Sequence, residues 1–346
     1  MFAKGMVPFF NQFSAEQPVV KKVFGDRKTV ATLTLGGALL LSFAERTARA
    51  QIPPGALQQL DTAIGQRVEA TAVFGTQSIA SRAGLGWTLD DATGQIYKIP
   101  WKAELEDPGP VGDQGLLWAP VFEGGIGYGG FVNHFNNSVL AGNQSDYDTV
   151  ALSLGGGPRI YFGDTGFSVL PAFDLLYAYT DNDFEANTLA GQAVAANGQY
   201  VNWQVHTLSL VPSFELQFKK TYGRWLPKFT SDFAYYNTRP VYRSTDALSF
   251  RSASMLWANK FDLDYVTPWK VLECPVHLGG DISRTDLYEG LQAALDTDHY
   301  YQTDGRVTLD VLGRLWKVDT FGLTAGYFWC SAFSGFSVGI ECSLKF

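Results

Sequence analysis

The residue types that could perform chemistry in this chain are few, and histidine is scarce among them. The four histidines are His134, His206, His277 and His299. A hydrolase needs a nucleophile such as serine beside a histidine, with an acid or amide that orients the ring. His206 lies close to Ser209, and His299 follows Asp296 and Asp298, but neither set forms a recognised nucleophile motif. We therefore assign no catalytic residue and expect no enzyme, and for His277 we expect a hydrogen-bonding role inside the fold.

The cysteines give no evidence of a metal site or of a disulfide framework. Cys274, Cys330 and Cys342 are three in number and cannot all pair within one chain. Their spacing matches no metal-binding motif. In a hairpin that turns near residues 332–334, Cys330 would face residue 336 rather than Cys342, so a disulfide between these two is not expected. We interpret the cysteines as small apolar residues and predict no metal site and no cofactor.

The charge balance excludes one class of partner. The 346 residues carry 26 Lys and Arg against 34 Asp and Glu, a formal net charge of −8. An acidic chain lacks the basic surface that binds phosphate backbones, so no nucleic acid partner is expected, and no broad basic patch for lipid headgroups is present. Hydrophobic residues make up 46% and charged residues 17%, and the mean hydropathy is −0.03. This composition excludes a disordered chain and a bundle of membrane helices.

A single long apolar run lies near the N-terminus, at residues 29–43. It is shorter than the ~20 residues that a spanning helix needs. Four basic residues precede it: Lys21, Lys22, Arg27 and Lys28. Ala48-Arg-Ala50 follows as a small-x-small cleavage motif, so residues 1–50 are predicted to be a signal peptide with an extended N-terminal region, cleaved near Ala50. Its removal leaves 19 basic and 31 acidic residues, a net charge of −12.

A lead-in segment, residues 51–82, follows the predicted cleavage point. Leu57, Leu60, Ile64 and Val68 recur at three-to-four spacing, which predicts an amphipathic helix over 56–70. The β-branched content rises over 68–79, so a strand is the alternative there. Two short apolar runs around an Asp/Gly turn predict a hairpin over 83–101, and the acidic, Pro- and Gly-containing segment 104–113 predicts a loop.

From Leu116 onward the chain consists of long segments with period-two alternation, which is typical of strands with one apolar and one polar face. In three of these segments the apolar faces are Val150, Leu152, Leu154, Pro158, Ile160 and Phe162; Leu208, Leu210, Pro212, Phe214, Leu216 and Phe218; and Met255, Trp257, Phe261, Leu263 and Tyr265. The opposite faces carry the charges, such as Arg159, Glu215 and Asp262. Each segment reaches the ~9–11 residues of a tilted membrane-spanning strand.

The last segment, Gly335-Phe-Ser-Val-Gly-Ile-Glu-Cys-Ser-Leu-Lys-Phe346, follows the same rule and ends on an aromatic residue of its apolar face. Such an ending is typical of the closing strand of an outer-membrane barrel, in which apolar side chains face lipid and polar ones face the lumen. Backbone groups in lipid must all be paired, so the sheet has to close. We predict an all-β fold: a closed antiparallel transmembrane β-barrel over residues 83–346 with 12 strands, or 10 as the alternative.

The connections predict the topology. Short ones fall at 163–166, 219–226, 267–274 and 313–317, and long polar ones fall at 131–148, 181–200, 238–247 and 288–300. Outer-membrane barrels have short periplasmic turns and longer extracellular loops, so the long set is expected outside the cell. Tryptophans near the strand ends are plausible interface anchors: Trp118, Trp203, Trp225, Trp257, Trp269, Trp316 and Trp329.

The export signal, the helical lead-in, the alternating strands and the closing sequence up to Phe346 resemble the translocator of autotransporters, in particular the solitary outer-membrane autotransporter β-barrel proteins. The resemblance covers residues 56–346. It implies a Gram-negative outer-membrane protein without catalytic residues, whose lead-in lies inside the lumen. The segment before Leu116 is too short for a β-helical passenger, so no large passenger is expected. Its expected partners are outer-membrane lipid and the barrel insertion machinery, which would engage the strand ending at Phe346.

Two other function classes remain open. One is a narrow porin-like channel, which the excess of acid on the lumen-facing positions would make cation-preferring. These positions are Asp174, Glu215, Asp232, Asp262, Asp264, Asp281, Asp310 and Glu341, against Arg159, Lys260, Arg306 and Lys345. A lumen filled by paired charges and the lead-in helix would instead be closed to solutes. The other class is an outer-membrane lipid-modifying hydrolase, for which the histidines supply no motif.

Overall fold

A computed structural model of the chain describes residues 54–76, 85–89, 92–105, 109–111, 116–135, 141–246, 248–311 and 318–344. The predicted signal peptide over 1–50, its cleavage point, and Phe346 lie outside these residues. The described helices are α1 (Pro54–Thr76), α2 (Leu189–Asn197) and α3 (Gly290–Leu295), with one 3-10 turn at Gly163–Thr165. No helix in the described ranges is long and apolar enough to cross a membrane.

Nearly all of the remaining described chain is β-strand. The strands are β1 (Leu85–Leu89), β2 (Ala92–Glu104), β3 (Gly109–Val111), β4 (Leu116–His134), β5 (Gln144–Phe162), β6 (Phe167–Glu185), β7 (Gln204–Lys219), β8 (Trp225–Arg243), β9 (Ser252–Val271), β10 (Cys274–Glu289), β11 (His299–Asp310), β12 (Val318–Trp329) and β13 (Ser334–Leu344). The all-β antiparallel class is therefore confirmed, with a short N-terminal helix. The predicted hairpin over 83–101 is formed by β1 and β2.

One sheet contains all of these strands. From β4 to β13 each strand pairs with the next one in the chain, and β1 pairs with β13 on one side and with β2 on the other. β2 also pairs with β4, from Ala92 opposite Asn133 to Glu104 opposite Val121. The sheet is curled, because α1 contacts β2, β4, β5, β6 and β9, strands that a flat sheet would hold far apart.

The strand faces follow the alternation read from the sequence. On β13, Phe336, Val338 and Ile340 are 71%, 66% and 68% exposed, whereas Ser337 between them is 2% exposed. The same outward apolar face recurs on β4 to β12, for example at Ile126, Leu154 and Phe173. A sheet that exposes this many large apolar residues on one face is suited to a lipid environment rather than to water.

Two sequence expectations need correction. β4, β5, β6 and β8 have 19 residues each and β9 has 20, so the predicted connections at 131–148, 181–200 and 238–247 are partly strand. Ladder pairing continues as far as His134 opposite Gln144 because polar residues can pair as well as apolar ones once the strands leave the lipid. In the predicted loop 104–113, Gly109–Val111 forms the short strand β3, which pairs with the first residues of β4.

Candidate functional site

Helix α1 and the inner face of the sheet form the candidate site, and a glycine stripe on β4 positions the helix. Gly125, Gly127 and Gly129 alternate along the inner face of β4. A Cβ at Gly125 or Gly127 would overlap the carbonyl oxygens of Thr76 and Gly75 at the end of α1, and a Cβ at Gly129 would come within 2.8 Å of Thr71 Cγ2. The stripe thus lets the helix backbone lie directly on the strand backbone.

The apolar side chains of α1 are buried against the inner face of the sheet. Ile64 and Val68 pack with Trp203 and Leu248. Val73 belongs to a larger cluster of buried hydrophobic side chains, to which several strands contribute. Ile64, Val68 and Ala72 are 7%, 2% and 1% exposed, as their helical spacing predicts. The helix continues to Thr76, so the alternative of a strand from residue 68 is wrong.

Glu69 is the polar centre of this packing and is fully buried. Thr238 Oγ1 donates to Glu69 Oε1 at 2.5 Å, Ser252 Oγ donates to Oε2 at 2.6 Å, and Ser254 Oγ also donates to Oε2. The three hydroxyls lie on β8 and β9, so one carboxylate joins α1 to two neighbouring strands. Hydrogen bonds from several donors satisfy a buried carboxylate that would otherwise be costly to bury.

Two further contacts hold α1 in place, one near its N-terminal end and one through helix α3. Asp61 on α1 accepts from the backbone N–H of Ser249 at 3.0 Å and from its hydroxyl at 3.2 Å, in the connection between β8 and β9. Partial burial raises the pKa of Asp61 although both hydrogen bonds from Ser249 oppose the shift. On the opposite side of Glu69, the N–H of Leu291 in α3 donates to Ser254 Oγ at 3.1 Å. Helix α1 therefore enters from the end of the sheet that carries the long connections and stops about half-way along β4.

Beyond the helix, two networks of ion pairs occupy the inner face. In the first, Arg306 donates to Asp264 through Nε at 2.7 Å and Nη2 at 2.6 Å. Its Nη1 donates to Asp262 at 2.9 Å and to Asp281 at 3.1 Å, and Lys260 lies 3.3 Å from Asp262. One guanidinium thus joins carboxylates from β9 and β10 through its rigid fork of donors.

The second network lies on the other side of the same interior. Arg159 Nη2 donates to Glu215 Oε1 at 2.7 Å, and Lys102 Nζ donates to Glu215 Oε2 at 2.9 Å. Lys102 also lies 3.0 Å from Glu123, and Arg159 lies 3.5 Å from Glu104. The network ties β2 and β4 to β5 and β7 through side chains on the inner face of the sheet.

The structure brings most of the predicted lumen charges together. Asp174, Glu215, Asp262, Asp281, Arg159 and Arg306 are buried on the inner face, and Asp232, Asp264, Asp310 and Lys260 are half-buried there. The side chains of Glu341 and Lys345 lie outside the described residues. Sequence reasoning missed Lys98, Lys102 and Glu123, although Lys98 and Lys102 lie four residues apart on β2 and the period of two places them on one face.

The two histidines that lie near candidate catalytic partners in the sequence, His206 and His299, make contacts with aromatic and acidic residues. His206 lies on the outer face, where its Nδ1 lies 2.5 Å from Tyr177 Oη and its ring contacts Tyr179 and Tyr242. His299 Nδ1 lies 2.6 Å from Asp298 Oδ1, a contact that lowers the pKa of Asp298. Neither contact includes a serine. No cluster of metal-ligating side chains occurs among the described residues.

The structure tests the expectations for the tryptophans and the cysteines. Trp118, Trp225, Trp257 and Trp269 are exposed on the outer face, but Trp203 is 1% exposed and packs inside against Tyr147, so it is not an interface anchor. Trp316 lies outside the described residues. Cys274 and Cys330 are free thiols. Cys330 pairs with Phe333 in a tight turn rather than facing residue 336, and the backbone of Cys342 lies opposite Phe321.

Comparison with solved structures finds domains of autotransporters, one of them with a TM-score above 0.5. The β domain of the Bordetella autotransporter BrkA is 12% identical, with a TM-score of 0.51 over 74% of this chain and 94% of that chain. The translocator domain of NalP from Neisseria meningitidis is 8% identical, with a TM-score of 0.48 over 76% of this chain and 86% of that one. The transport unit of AIDA-I from Escherichia coli is 8% identical, with a TM-score of 0.46 over 82% of this chain and 99% of that one. A search of curated proteins finds no match.

The family comparison is more specific than the structural one. A family model described as solitary outer membrane autotransporter beta-barrel domain matches residues 92–340, which is more than half of the chain and runs from β2 into β13. The matched region contains both ion-pair networks and the strands that hold α1. The chain belongs to the solitary outer-membrane autotransporter β-barrel domain family.

Proposed function

We propose that this chain forms a closed barrel of twelve strands in the outer membrane, with α1 as a plug that keeps the lumen shut to solutes. The observation that carries the proposal is the attachment of Glu69 to Thr238, Ser252 and Ser254. A helix that merely rested in an open pore would not need a buried carboxylate satisfied by two strands of the wall.

Closure is supported by the ring of pairings. β1 pairs with both β13 and β2, and β2 pairs with β4, which leads through β5 to β12 back to β13. β3 lies beside the start of β4, where it takes the place that β2 occupies farther along, so the ring holds twelve strands. Twelve was the larger of the two predicted counts, and an even number suits a barrel whose first strand begins and whose last strand ends on the same side.

The placement in the membrane follows from the outer face and the connections. The apolar outer face fits lipid, and the long connections fit the extracellular side. Export through a signal peptide cleaved near Ala50 would deliver the chain to this membrane. In this orientation α1 enters the lumen from outside the cell.

Bilayer conductance of the refolded mature chain, residues 51–346, tests the plug against the same chain with residues 51–80 deleted. We expect silence from the mature chain and discrete, cation-preferring steps after the deletion, because the inner face carries more acidic than basic side chains. Steps from the intact mature chain would overturn the plug. Silence from both forms would mean that the two ion-pair networks alone close the interior.

A porin-like channel is the second candidate, and the acidic excess of the inner face is the observation that favours it. It differs from the plugged barrel in one measurable respect, since it requires conductance with α1 present. The position of α1 in the interior argues against an open channel, because the helix contacts both β4 and β9, which lie far apart in the strand order of the sheet. We propose no catalytic activity.

Recognition of the last strand by the barrel insertion machinery is the final part of the proposal. Removal of Phe346 should lower the amount of heat-modifiable, membrane-inserted protein in cells, because the aromatic residue ends the apolar face of the closing strand. Wild-type assembly without Phe346 would contradict this role.

A further inference from the structure

Two arginines on the outer rim of the sheet have no acidic partner. Arg239 lies near the end of β8, one residue after Thr238, and Arg251 lies one residue before Ser252 at the start of β9. Thr238 and Ser252 are paired across the two strands, so both arginines lie at the same height on neighbouring strands. Both side chains are exposed, and no salt bridge or side-chain hydrogen bond joins either to another described residue.

Two other arginines of the described strands β8 and β10, Arg243 and Arg284, are already paired. Arg284 donates to Asp286 from Nε at 2.9 Å and from Nη2 at 2.6 Å, and its guanidinium lies over the Tyr301 ring. Arg243 donates to the carbonyl of Leu248 at 3.0 Å and lies 3.7 Å from Asp246. Two like charges on adjacent strands repel each other unless an anion lies between them.

The surface around Arg239 and Arg251 is suited to a lipid. Val241 and Tyr242, at the same rim, are 53% and 56% exposed. Farther along the same outer face, Leu210, Phe233 and Trp257 are 41%, 39% and 43% exposed. A phosphate at the rim would therefore have apolar side chains farther along the same outer face for acyl chains.

We infer that Arg239 and Arg251 form a binding site for the phosphate of an anionic lipid in the leaflet that surrounds the long connections. The site goes beyond the proposed plug and rests only on the proposed placement of the barrel in the membrane. Guanidinium groups bind phosphate oxygens through charge-assisted hydrogen bonds, and a phosphate between two of them removes their repulsion. The acyl chains lie along the outward faces of β7, β8 and β9.

The test uses the folded mature chain in a neutral detergent with diphosphoryl lipid A in mixed micelles as the probe. Native mass spectrometry should show a retained lipid, and the double substitution Arg239→Gln with Arg251→Gln should weaken its binding by about tenfold or more, as expected for the loss of charge-assisted hydrogen bonds. Arg284→Gln is the matched control, since Asp286 already occupies that guanidinium. Heat-modifiable migration confirms that each variant is folded, and the single substitutions serve if the double variant is not.

Three results would overturn the inference. They are binding by the double variant equal to that of the wild type, an equal loss in Arg284→Gln, and displacement of the lipid by inorganic phosphate alone, which would make the ligand a free anion. Conductance plays no part in this experiment, so its failure can be told apart from failure of the plug.

Discussion

Glu69 shows how a single side chain can hold an element in place. Its carboxylate accepts from three hydroxyls, and Ser209 Oγ lies 2.7 Å from Thr238 Oγ1, so the hydrogen bonding extends on to β7. The charge lies in a region otherwise filled by apolar residues such as Val68 and Leu291. Loss of the carboxylate would leave three buried hydroxyls to find other partners, and each unsatisfied group carries a desolvation cost.

We therefore predict that Glu69→Ala destabilises the folded barrel by about 2 kcal/mol or more, since several buried hydroxyls lose their acceptor. The measurement is the temperature at which heat-modifiable migration is lost in detergent. Gln66→Ala, on the same helix without a described side-chain hydrogen bond, should change that temperature little. Equal midpoints for Glu69→Ala and the wild type would show that the carboxylate does not hold the helix.

The sequence does not mark Glu69 as a buried residue, for a physical reason. In an amphipathic helix a glutamate opposite the apolar stripe is normally solvated, so Glu69 reads as a surface residue. A helix enclosed by a curled sheet has no solvated face, and every side of it must be satisfied by the wall. The charged residues of the strands are easier to place from the sequence. The period of two assigns Arg159, Glu215 and Arg306 to the inner face without any knowledge of their partners. Which of them pair depends on strands that meet only when the sheet curls.

At the scale of elements, the fit of α1 against β4 depends on the absence of side chains. The segment Gly124-Gly-Ile-Gly-Tyr-Gly-Gly130 reads from sequence as an ordinary strand with weak propensity. Its inner glycines are what permits contact between Gly127 and the Gly75 carbonyl. Alternating glycine in a strand does mark a close backbone approach, so this feature was available in the sequence even though its partner was not.

Gly127→Ala is predicted to push α1 away from β4 and to open the lumen. Alanine normally suits a strand better than glycine by roughly 0.5–1 kcal/mol, so destabilisation here would reverse the usual sign. We expect a cost of about 1–3 kcal/mol from overpacking, together with conductance steps in a bilayer. Gly305→Ala on β11 is the matched control, because a Cβ there meets nothing within 4 Å. Equal stability and equal conductance of the two variants would show that the close contact between Gly127 and α1 does not keep the lumen shut.

For the whole molecule, the alternating strands predict the antiparallel sheet and its outer face, because a strand has only two faces and lipid requires one of them to be apolar. The exact ends of the strands could not be read, since the ladders continue past the apolar segments. The proposed closure depends on the shortest ladder of the ring, in which β1 pairs with β13 only from Leu85 to Thr88. That ladder joins the first and last strands, so closure is best tested there.

Cysteines at Gly86 and Phe336, which are register partners on β1 and β13, should form a disulfide in the folded protein. Directly opposite residues hold their Cβ atoms about 4.5–5.5 Å apart, within reach of a disulfide after small adjustment. The bond would enclose most of the chain, so the denatured, unreduced protein should migrate visibly faster than its reduced form. The native cysteines are replaced by serine beforehand.

The control pair is Gly86→Cys with Tyr327→Cys, because Tyr327 pairs with Phe336 on the next strand and lies roughly 10 Å from Gly86. A cross-link in the first pair alone supports a closed ring, whereas its absence, or equal cross-linking of both pairs, would mean that β1 does not join β13 in a stable ladder.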